Sequence, residues 1–200
     1  MKIISLNLKK FSSEDIEIIS SELKKEKVLV LPTDTIYGLS SLATSERAVD
    51  KIYNIKNRSK AKPLIVLVKS FCMIREYCYL NQCQYDFIKK ELAKNVPITV
   101  ILKSRNNLLS CLLGEDGGMA VRIPKESNFL MEVLKNIDKP LVSTSLNISG
   151  KKSLENLDNL EKYFKKEKPN FVIDVGKLLE QKPSKIVDLR DANNIKILRN

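Results

Sequence analysis

The run "PLIVLV", residues 63–68, limits the fold more than any other part of the sequence. Every residue after the proline is apolar, so apolar and polar positions do not alternate as they do in a strand with one solvated face. Strands of this type are covered on both faces, usually by helices. The run therefore predicts a sheet that lies between two layers of helices.

Other apolar runs of strand length alternate with amphipathic helical patterns in the first half of the chain. Residues 28–31 predict a strand between a helix that Ser12 or Ser13 opens and a second helix through "ERAVDKIYNI". A polar helix is predicted over 154–164, and strands dominate the end in "FVIDVG", "KIVDLR" and "IKILR". This order predicts an α/β fold with a mixed sheet. No linker rich in Gly, Ser or Pro divides the chain, so we expect a single domain over 1–200.

The complete absence of histidine removes several kinds of chemistry. Ser-His-Asp and Cys-His nucleophilic systems are excluded, and so are metals held by imidazole. Any activity must rest on lysine, arginine, hydroxyl groups, amides, backbone N–H groups and bound ions. The formal net charge of +11 favours an anionic partner, although lysine-rich helix ends that face solvent explain the same charge equally well.

The apolar runs are too short for a membrane span, which needs about 20 residues. The first residues, "MKIISLNLKKFSSED", contain no continuous apolar segment and no small-residue cleavage site, so we expect no signal peptide. The sequence therefore predicts a cytoplasmic protein with no membrane partner.

Four polar clusters lie next to apolar strands, where ligands commonly bind in α/β sheets. They are "PTDTIYGL", "KNRSKAKPL", "GEDGGMAVRIP" and "STSLNISG". Each also has an ordinary structural explanation, respectively a capped turn, a solvated basic loop, a hairpin turn, and an Asx or Ser/Thr turn. Together they supply cations, hydroxyls and backbone amides. That set suits phosphate binding and transfer at phosphorus, where positioning and charge neutralisation provide most of the catalysis.

Individual residues in these clusters carry more specific expectations. Thr33 and Thr35 can point the same way and offer two hydroxyl groups. Arg58 can grip a phosphate as a planar fork. Arg122 lies inside an apolar strand, where an unpaired cation is costly. We therefore expect Arg122 to have an anionic partner, either a carboxylate of the protein or one of a ligand.

The clusters also occur in a specific order. From about residue 31 to residue 199, "PTDTIYGL", "KNRSKAKPL", "PIT", "VRIP", "STSLNISG", "PSKIVDL" and a terminal "ILR" follow one another. In this the chain closely resembles the YrdC-like threonylcarbamoyl-AMP synthases, in their short single-domain form. The resemblance implies an α/β domain in which a twisted mixed sheet, flanked by helices, presents a basic concave face.

The reaction implied by the resemblance joins L-threonine, bicarbonate or CO2, and ATP, with Mg2+ accompanying the nucleotide. The products are L-threonylcarbamoyl-AMP and pyrophosphate, so the enzyme is a nucleotidyltransferase. Other proteins then move the threonylcarbamoyl group to adenosine 37 of tRNA. These transfer proteins are implied partners, and tRNA is a further partner to consider.

The resemblance also assigns site residues, in two groups. The ATP group is Lys56, Arg58, Lys62, Ser145, Asn147 and Arg199. The threonine group is Thr35, Arg122, Ser143 and Ser184. In the first group, Lys56 and Arg58 would be catalytic, because they would neutralise charge that grows on the phosphates. No side chain is expected to bind the metal directly.

The sequence departs from the family pattern at several positions. Leu67 stands where the family often has a histidine, Asp34 where it often has glutamate, and Gly118 where it usually has threonine. The usual "PGPLT" is replaced by "NVPIT" at 95–99. Leu67 removes a polar ring from the region of the threonine site.

Two other functions remain open from the residues. One is a non-catalytic paralogue of the same fold that binds RNA or a nucleotide, although an aromatic content of 6% offers few stacking surfaces for RNA. The other is carbamoyl transfer of the kind that related domains perform inside larger proteins, against which the short chain argues.

Overall fold

The structure is a computed structural model, and it describes residues 1–8, 10–125, 129–154, 157–158, 160–164, 167–178 and 183–199. Within these ranges the chain forms ten strands and six α-helices. The strands are β1 (Lys2–Ser5), β2 (Leu29–Pro32), β3 (Tyr37–Leu42), β4 (Ile65–Leu67), β5 (Ile98–Lys103), β6 (Gly118–Arg122), β7 (Leu141–Ser145), β8 (Phe171–Asp174), β9 (Lys185–Asp188) and β10 (Lys196–Arg199). The helices are α1 (Ser13–Lys24), α2 (Glu46–Lys56), α3 (Phe71–Tyr77), α4 (Gln82–Ala93), α5 (Phe129–Ile137) and α6 (Leu160–Tyr163).

These strands join one mixed sheet in the order β1-β8-β2-β3-β7-β4-β6-β5-β9-β10. The pairs β1–β8, β2–β8, β4–β6 and β5–β9 are parallel. The remaining neighbours are antiparallel. The predicted α/β fold with a mixed sheet is therefore confirmed, while the basic concave face stays a prediction.

Apolar side chains cover the sheet from both sides, as the "PLIVLV" run predicts. In β4, Val66 packs into one apolar cluster and Leu67 packs into a second. The same alternation occurs in β2, where Val30 belongs to the first cluster and Leu29 and Leu31 belong to the second. Helix α2 contributes to the first cluster, and α1 and α5 pack together over the second.

Helix α1 begins with a capping box. The Ser12 hydroxyl accepts a hydrogen bond from the Asp15 N–H at 3.1 Å, and the Asp15 carboxylate accepts one from the Ser12 N–H at 2.8 Å. This reciprocal pair makes Ser12, rather than Ser13, the residue that opens the helix.

Strand β3 is the main element that the sequence pattern does not predict. The sequence of β3, "YGLSSL", contains a glycine and two serines and follows a turn. It therefore lacks the apolar run that would predict a buried strand. It is nevertheless fully buried between β2 and β7. The hydroxyl of Ser40 donates to that of Ser143 at 3.1 Å, which satisfies this polar group inside the sheet.

Within the described residues, the helix in this region is shorter than the polar helix predicted over 154–164. Helix α6 covers only Leu160–Tyr163, and residues 155, 156 and 159 lie outside the described residues. In the described part of the chain, no helix has both the length and the apolar character that crossing a membrane requires.

Candidate functional site

A cavity of about 700 Å³ opens on the face of the sheet that β4, β6, β5 and β9 form. Side chains alternate between the faces of a strand, and accordingly Gly118, Ala120 and Arg122 of β6 all line this cavity. The first two residues are small, so β6 leaves space for a ligand. The third brings a positive charge to that space.

Thr33 organises the turn between β2 and β3. Its hydroxyl donates to the Ile36 carbonyl oxygen at 2.7 Å and accepts from the N–H groups of Thr35 and Ile36 at 3.1 and 3.2 Å. The hydroxyl oxygens of Thr33 and Thr35 lie 3.0 Å apart, and both residues line the cavity. The two hydroxyls therefore share one side, as predicted, although a turn rather than strand alternation brings them together.

Gly38 allows β3 to approach β7 closely. A Cβ atom added at Gly38 would lie 2.6 Å from the Ser143 hydroxyl oxygen and 3.2 Å from Cγ2 of Thr33. Both Gly38 and Ser143 line the cavity. The missing side chain thus makes room for the Ser143 hydroxyl in the cavity wall.

The side chain of Tyr37 is anchored through its hydroxyl group. Its hydroxyl donates to the Gly176 carbonyl oxygen at 2.6 Å and accepts from the Val175 N–H at 2.9 Å. Burial raises the pKa of Tyr37 to about 12. Tyr37 is therefore neutral at physiological pH and forms a fixed part of the cavity wall.

Arg122 forms an ion pair with Asp34 at the cavity. Nη2 of Arg122 lies 2.5 Å from Oδ1 of Asp34, and the two side chains are 8% and 5% exposed. The expectation of an anionic partner is confirmed, and this partner belongs to the protein. Nη2 is thus occupied by Asp34, whereas Nε of Arg122 is buried without a hydrogen-bond acceptor among the described residues. Such donors are costly to bury, and an anionic ligand would satisfy them.

Ser184 joins a second arginine to the same cavity. Arg199 donates from Nε to the Ser184 carbonyl oxygen at 2.9 Å and from Nη2 to the Ser184 hydroxyl at 3.2 Å. The buried Thr99 hydroxyl lies 2.9 Å from that of Ser184. Burial, followed by the charge of Arg122, lowers the pKa of Arg199. Both Arg122 and Arg199 line the cavity, so an anion bound there would meet two cations.

Arg58 lines the cavity from the loop after α2. Its Nε donates to the Lys62 carbonyl oxygen at 2.9 Å, and its Nη2 donates to the Pro63 carbonyl oxygen at 3.1 Å. These two bonds fix the orientation of the guanidinium group. The side chain of Lys62 is exposed and does not line the cavity.

Lys56, the last residue of α2, is only 1% exposed and lies behind the cavity wall. Its ammonium donates to the Ser145 carbonyl oxygen at 2.5 Å, to the Asn147 carbonyl oxygen at 3.0 Å and to the Asn147 side-chain oxygen at 2.6 Å. The Ser145 hydroxyl donates to the same side-chain oxygen at 2.6 Å. Burial, followed by the charge of Arg58, lowers the pKa of Lys56 to about 7.

The structure thus divides the predicted site residues by location. Those that line the cavity are Thr35, Arg58, Arg122, Ser143, Ser145, Ser184 and Arg199. The other three, Lys56, Lys62 and Asn147, do not. Lys56 and Asn147 are hydrogen-bonded to Ser145 from behind the cavity wall. They can therefore affect the cavity through Ser145, but they do not contact its interior.

An arginine that sequence reasoning missed also lines the cavity. Arg190 forms ion pairs with Asp116 and Asp188, and it crosses Gly118 so closely that an added Cβ there would lie 3.1 Å from Cδ of Arg190. Sequence signals for this cluster are weak, because Asp116 and Arg190 are distant in the chain.

No protein metal centre is evident in the parts of the chain that the structure covers. Within them, no group of three or more Cys, Asp or Glu side chains is arranged to hold a metal ion. The two aspartates that line the cavity, Asp34 and Asp116, are each paired with an arginine.

Comparison with known proteins connects this site to a family. Residues 21–200 match the model of the Sua5/YciO/YrdC domain, which carries the description "Telomere recombination". The chain belongs to this family. A Methanocaldococcus jannaschii protein provisionally named threonylcarbamoyl-AMP synthase is similar, with 37% identity over 182 residues, which are 91% of this chain and 84% of that protein.

Two more members of the Sua5/YciO/YrdC family extend the comparison. The human protein named threonylcarbamoyl-AMP synthase is 28% identical over 196 residues, which are 94% of this chain and 67% of the human one. The crystal structure of P. abyssi Sua5 complexed with L-threonine matches with a TM-score of 0.80 and 26% identity. That match covers 94% of this chain and 54% of Sua5, so the chain spans about half of that protein's length.

Proposed function

We propose that this chain is a threonylcarbamoyl-AMP synthase, a nucleotidyltransferase that joins L-threonine, bicarbonate or CO2, and ATP. Two similar proteins bear this name, and a third protein of similar structure, P. abyssi Sua5, has been crystallised with L-threonine. The observation that carries the proposal is that one cavity contains both a buried arginine with an unused Nε donor, Arg122, and a second fixed arginine, Arg58.

The amino acid would bind at the Arg122 end. Its carboxylate would accept a hydrogen bond from Nε of Arg122, a buried donor without another acceptor among the described residues, and would share Nη2 with Asp34. Ser184, held by Thr99 and Arg199, would donate to the same carboxylate. The Thr35 hydroxyl would contact the hydroxyl of threonine.

ATP would bind at the Arg58 end. The guanidinium of Arg58 is oriented by two backbone carbonyls, so it can meet a phosphate without losing much further freedom. The Ser145 hydroxyl lines the same cavity, and Lys56 would hold the Ser145 backbone in place and, in its protonated form, add positive charge from behind. The resemblance adds Lys62, Asn147 and Arg199 to the proposed nucleotide set, although Lys62 and Asn147 do not line the cavity and Arg199 is bonded to Ser184. Ser143 would lie at the junction between the two substrates.

The chemistry needs no nucleophile from the protein. The ammonium group of bound threonine loses a proton to solvent. The neutral amine then adds to CO2 and loses a second proton to solvent, which gives a carbamate. A carbamate oxygen then attacks the α-phosphorus, and the bond to pyrophosphate breaks. Arg58 would neutralise the charge that develops on the phosphate oxygens. A chain without histidine can therefore catalyse this sequence through positioning and electrostatics.

Mg2+ would arrive with the nucleotide. The described residues hold no cluster of metal ligands, and the cavity aspartates are engaged with arginines, so the phosphates would carry the ion. When bound, Mg2+ would screen phosphate charge.

The wider role that we propose is in tRNA modification in the cytoplasm. Downstream transfer proteins would take the mixed anhydride and place its threonylcarbamoyl group on adenosine 37 of tRNA. The charge of +11 is consistent with direct contact to tRNA as well.

The proposal is tested by incubating the protein with ATP, L-threonine and isotopically labelled bicarbonate, and identifying products by mass spectrometry. We expect the label in an AMP adduct that contains threonine. RNA binding without any labelled adduct, under conditions where a known synthase produces it, would instead favour the non-catalytic paralogue.

A further inference from the structure

The Asp34–Arg122 pair places an anion and a cation side by side in the wall of the cavity. Both side chains are at least nine-tenths buried, and both residues line the space where a ligand would bind. An α-amino acid at neutral pH carries the matching charges, a carboxylate and an ammonium, one carbon apart. Four charges of alternating sign can then meet, so each is stabilised by neighbours of opposite sign.

We propose that Asp34 binds the α-ammonium group of the amino acid substrate, so that Asp34 and Arg122 together select a zwitterion. This inference rests on the proposed function for the identity of the amino acid as L-threonine. It adds a specificity-determining residue to the site.

The structure explains why Asp34 is the carboxylate for this role. The other aspartate in the cavity wall, Asp116, is paired with Arg190 and also accepts a hydrogen bond from the Gly118 N–H at 3.3 Å. Asp34 instead pairs with Nη2 of Arg122, and the remaining buried donor of that arginine, Nε, is the one expected to bind a carboxylate. When a ligand carboxylate takes up Arg122, Asp34 needs a second cation, and the ligand supplies one.

The position of Asp34 in the turn fits threonine in particular. Asp34 is flanked by Thr33 and Thr35, whose hydroxyls are 3.0 Å apart at the cavity. Threonine carries its ammonium and its hydroxyl on adjacent carbons. Adjacent residues of one turn can therefore bind both groups. After carboxylation the nitrogen keeps one N–H, which can still donate to Asp34, so the contact persists in the carbamate.

The inference is tested by isothermal titration calorimetry with two ligands. They are L-threonine and 2,3-dihydroxybutanoate, in which a hydroxyl replaces the ammonium. We expect the wild type to prefer L-threonine by about tenfold or more, the size of one hydrogen bond between charged groups. In Asp34→Asn, this preference should fall to about threefold or less. Asp116→Asn, the matched control, should keep the wild-type preference.

A purely structural role for Asp34 gives a different result. If Asp34 only holds Arg122 in place, Asp34→Asn weakens both ligands equally, the preference is unchanged, and the inference is overturned. If Asp34→Asn does not fold, the wild type alone still tests the inference, because equal affinity of the wild type for the two ligands would overturn it.

The same titrations separate this inference from the proposed function. If the wild type binds another zwitterionic amino acid rather than L-threonine, and that binding depends on Asp34 as described, the proposed function fails and the inference stands. If the preference for L-threonine over 2,3-dihydroxybutanoate is the same in the wild type and in Asp34→Asn, the inference fails and the function stands. Binding of neither ligand nor any other amino acid would overturn both.

Discussion

The ammonium of Lys56 lies 2.6 Å from the side-chain oxygen of Asn147 and 3.0 Å from its backbone oxygen, so a single buried cation joins the end of α2 to the loop after β7. No carboxylate contributes to these bonds, because the acceptors around Lys56 are a side-chain amide and backbone carbonyls. Among the described residues, the hydrogen-bond partners of Lys56 are dipoles and not carboxylates, which explains why burial can lower its pKa so far.

This arrangement predicts a specific dependence of stability on pH. The pKa of Lys56 is about 7 in the folded protein and ordinary, near 10.4, in the unfolded chain. Between these values the unfolded chain binds more protons, so the contribution of Lys56 to the free energy of unfolding rises with pH, by up to about 1.4 kcal/mol per pH unit. Below pH 7 both states are protonated and the full cost of burying the charge is present.

Urea unfolding of the wild type and of Lys56→Met between pH 7 and pH 9 measures this contribution. The stability of the wild type relative to Lys56→Met should increase with pH, because other titrating groups are common to both proteins. A constant or decreasing difference would show that Lys56 stays charged in the fold.

Arg58→Ala should slow formation of the adenylate by about a hundredfold or more, the usual effect of removing a preorganised donor from a developing charge. Arg58→Lys keeps the charge but loses the two bonds to backbone carbonyls, so we expect an intermediate rate. Pyrophosphate release measures both. Lys60→Ala is the control, because Lys60 is in the same loop, pairs with Asp50 and does not line the cavity. Equal rates for Arg58→Ala and Lys60→Ala would rule out the assigned role.

Gly38→Ala should reduce the free energy of unfolding by about 1–3 kcal/mol, because the new methyl group would overlap the Ser143 hydroxyl. Chemical denaturation measures this loss. In a Ser143→Ala background the oxygen is absent, and the cost of Gly38→Ala should be smaller. The same cost in both backgrounds would mean that the close approach of Gly38 and Ser143 is not what requires glycine.

Thr99→Val should raise KM for L-threonine several-fold and leave KM for ATP unchanged. Valine keeps the shape of threonine but removes the hydroxyl that lies 2.9 Å from that of Ser184, a loss of about 1 kcal/mol. Steady-state kinetics with each substrate varied in turn measures the effect. Thr44→Val, at an exposed position, is the control. A parallel rise of both KM values would place Ser184 outside the threonine site.

The sequence predicted those features that depend on local patterns. The apolar run in β4 predicted a sheet covered on both faces, and the costly burial of Arg122 predicted an anionic partner. Both are confirmed, since Val66 and Leu67 face different clusters and Arg122 meets Asp34. In each case the physical requirement follows from the residue and its immediate neighbours.

Features that depend on contacts between distant segments were not predictable in this way. Ser40 is tolerated inside β3 because Ser143, on another strand, is bonded to it. Lys56 appears exposed in a basic stretch of sequence, and its burial depends on Asn147, 91 residues further along the chain. A single sequence contains no signal for such pairings, so β3 and the support behind Ser145 emerge only from the structure.

The cavity is proposed to convert threonine to threonylcarbamoyl-AMP, and omission of substrates tests this most directly. Pyrophosphate release would be measured with ATP, L-threonine and bicarbonate together, and then with each of the three left out. We predict release only when all three are present. Release of pyrophosphate from ATP without threonine, or no release with the complete set, would contradict the account.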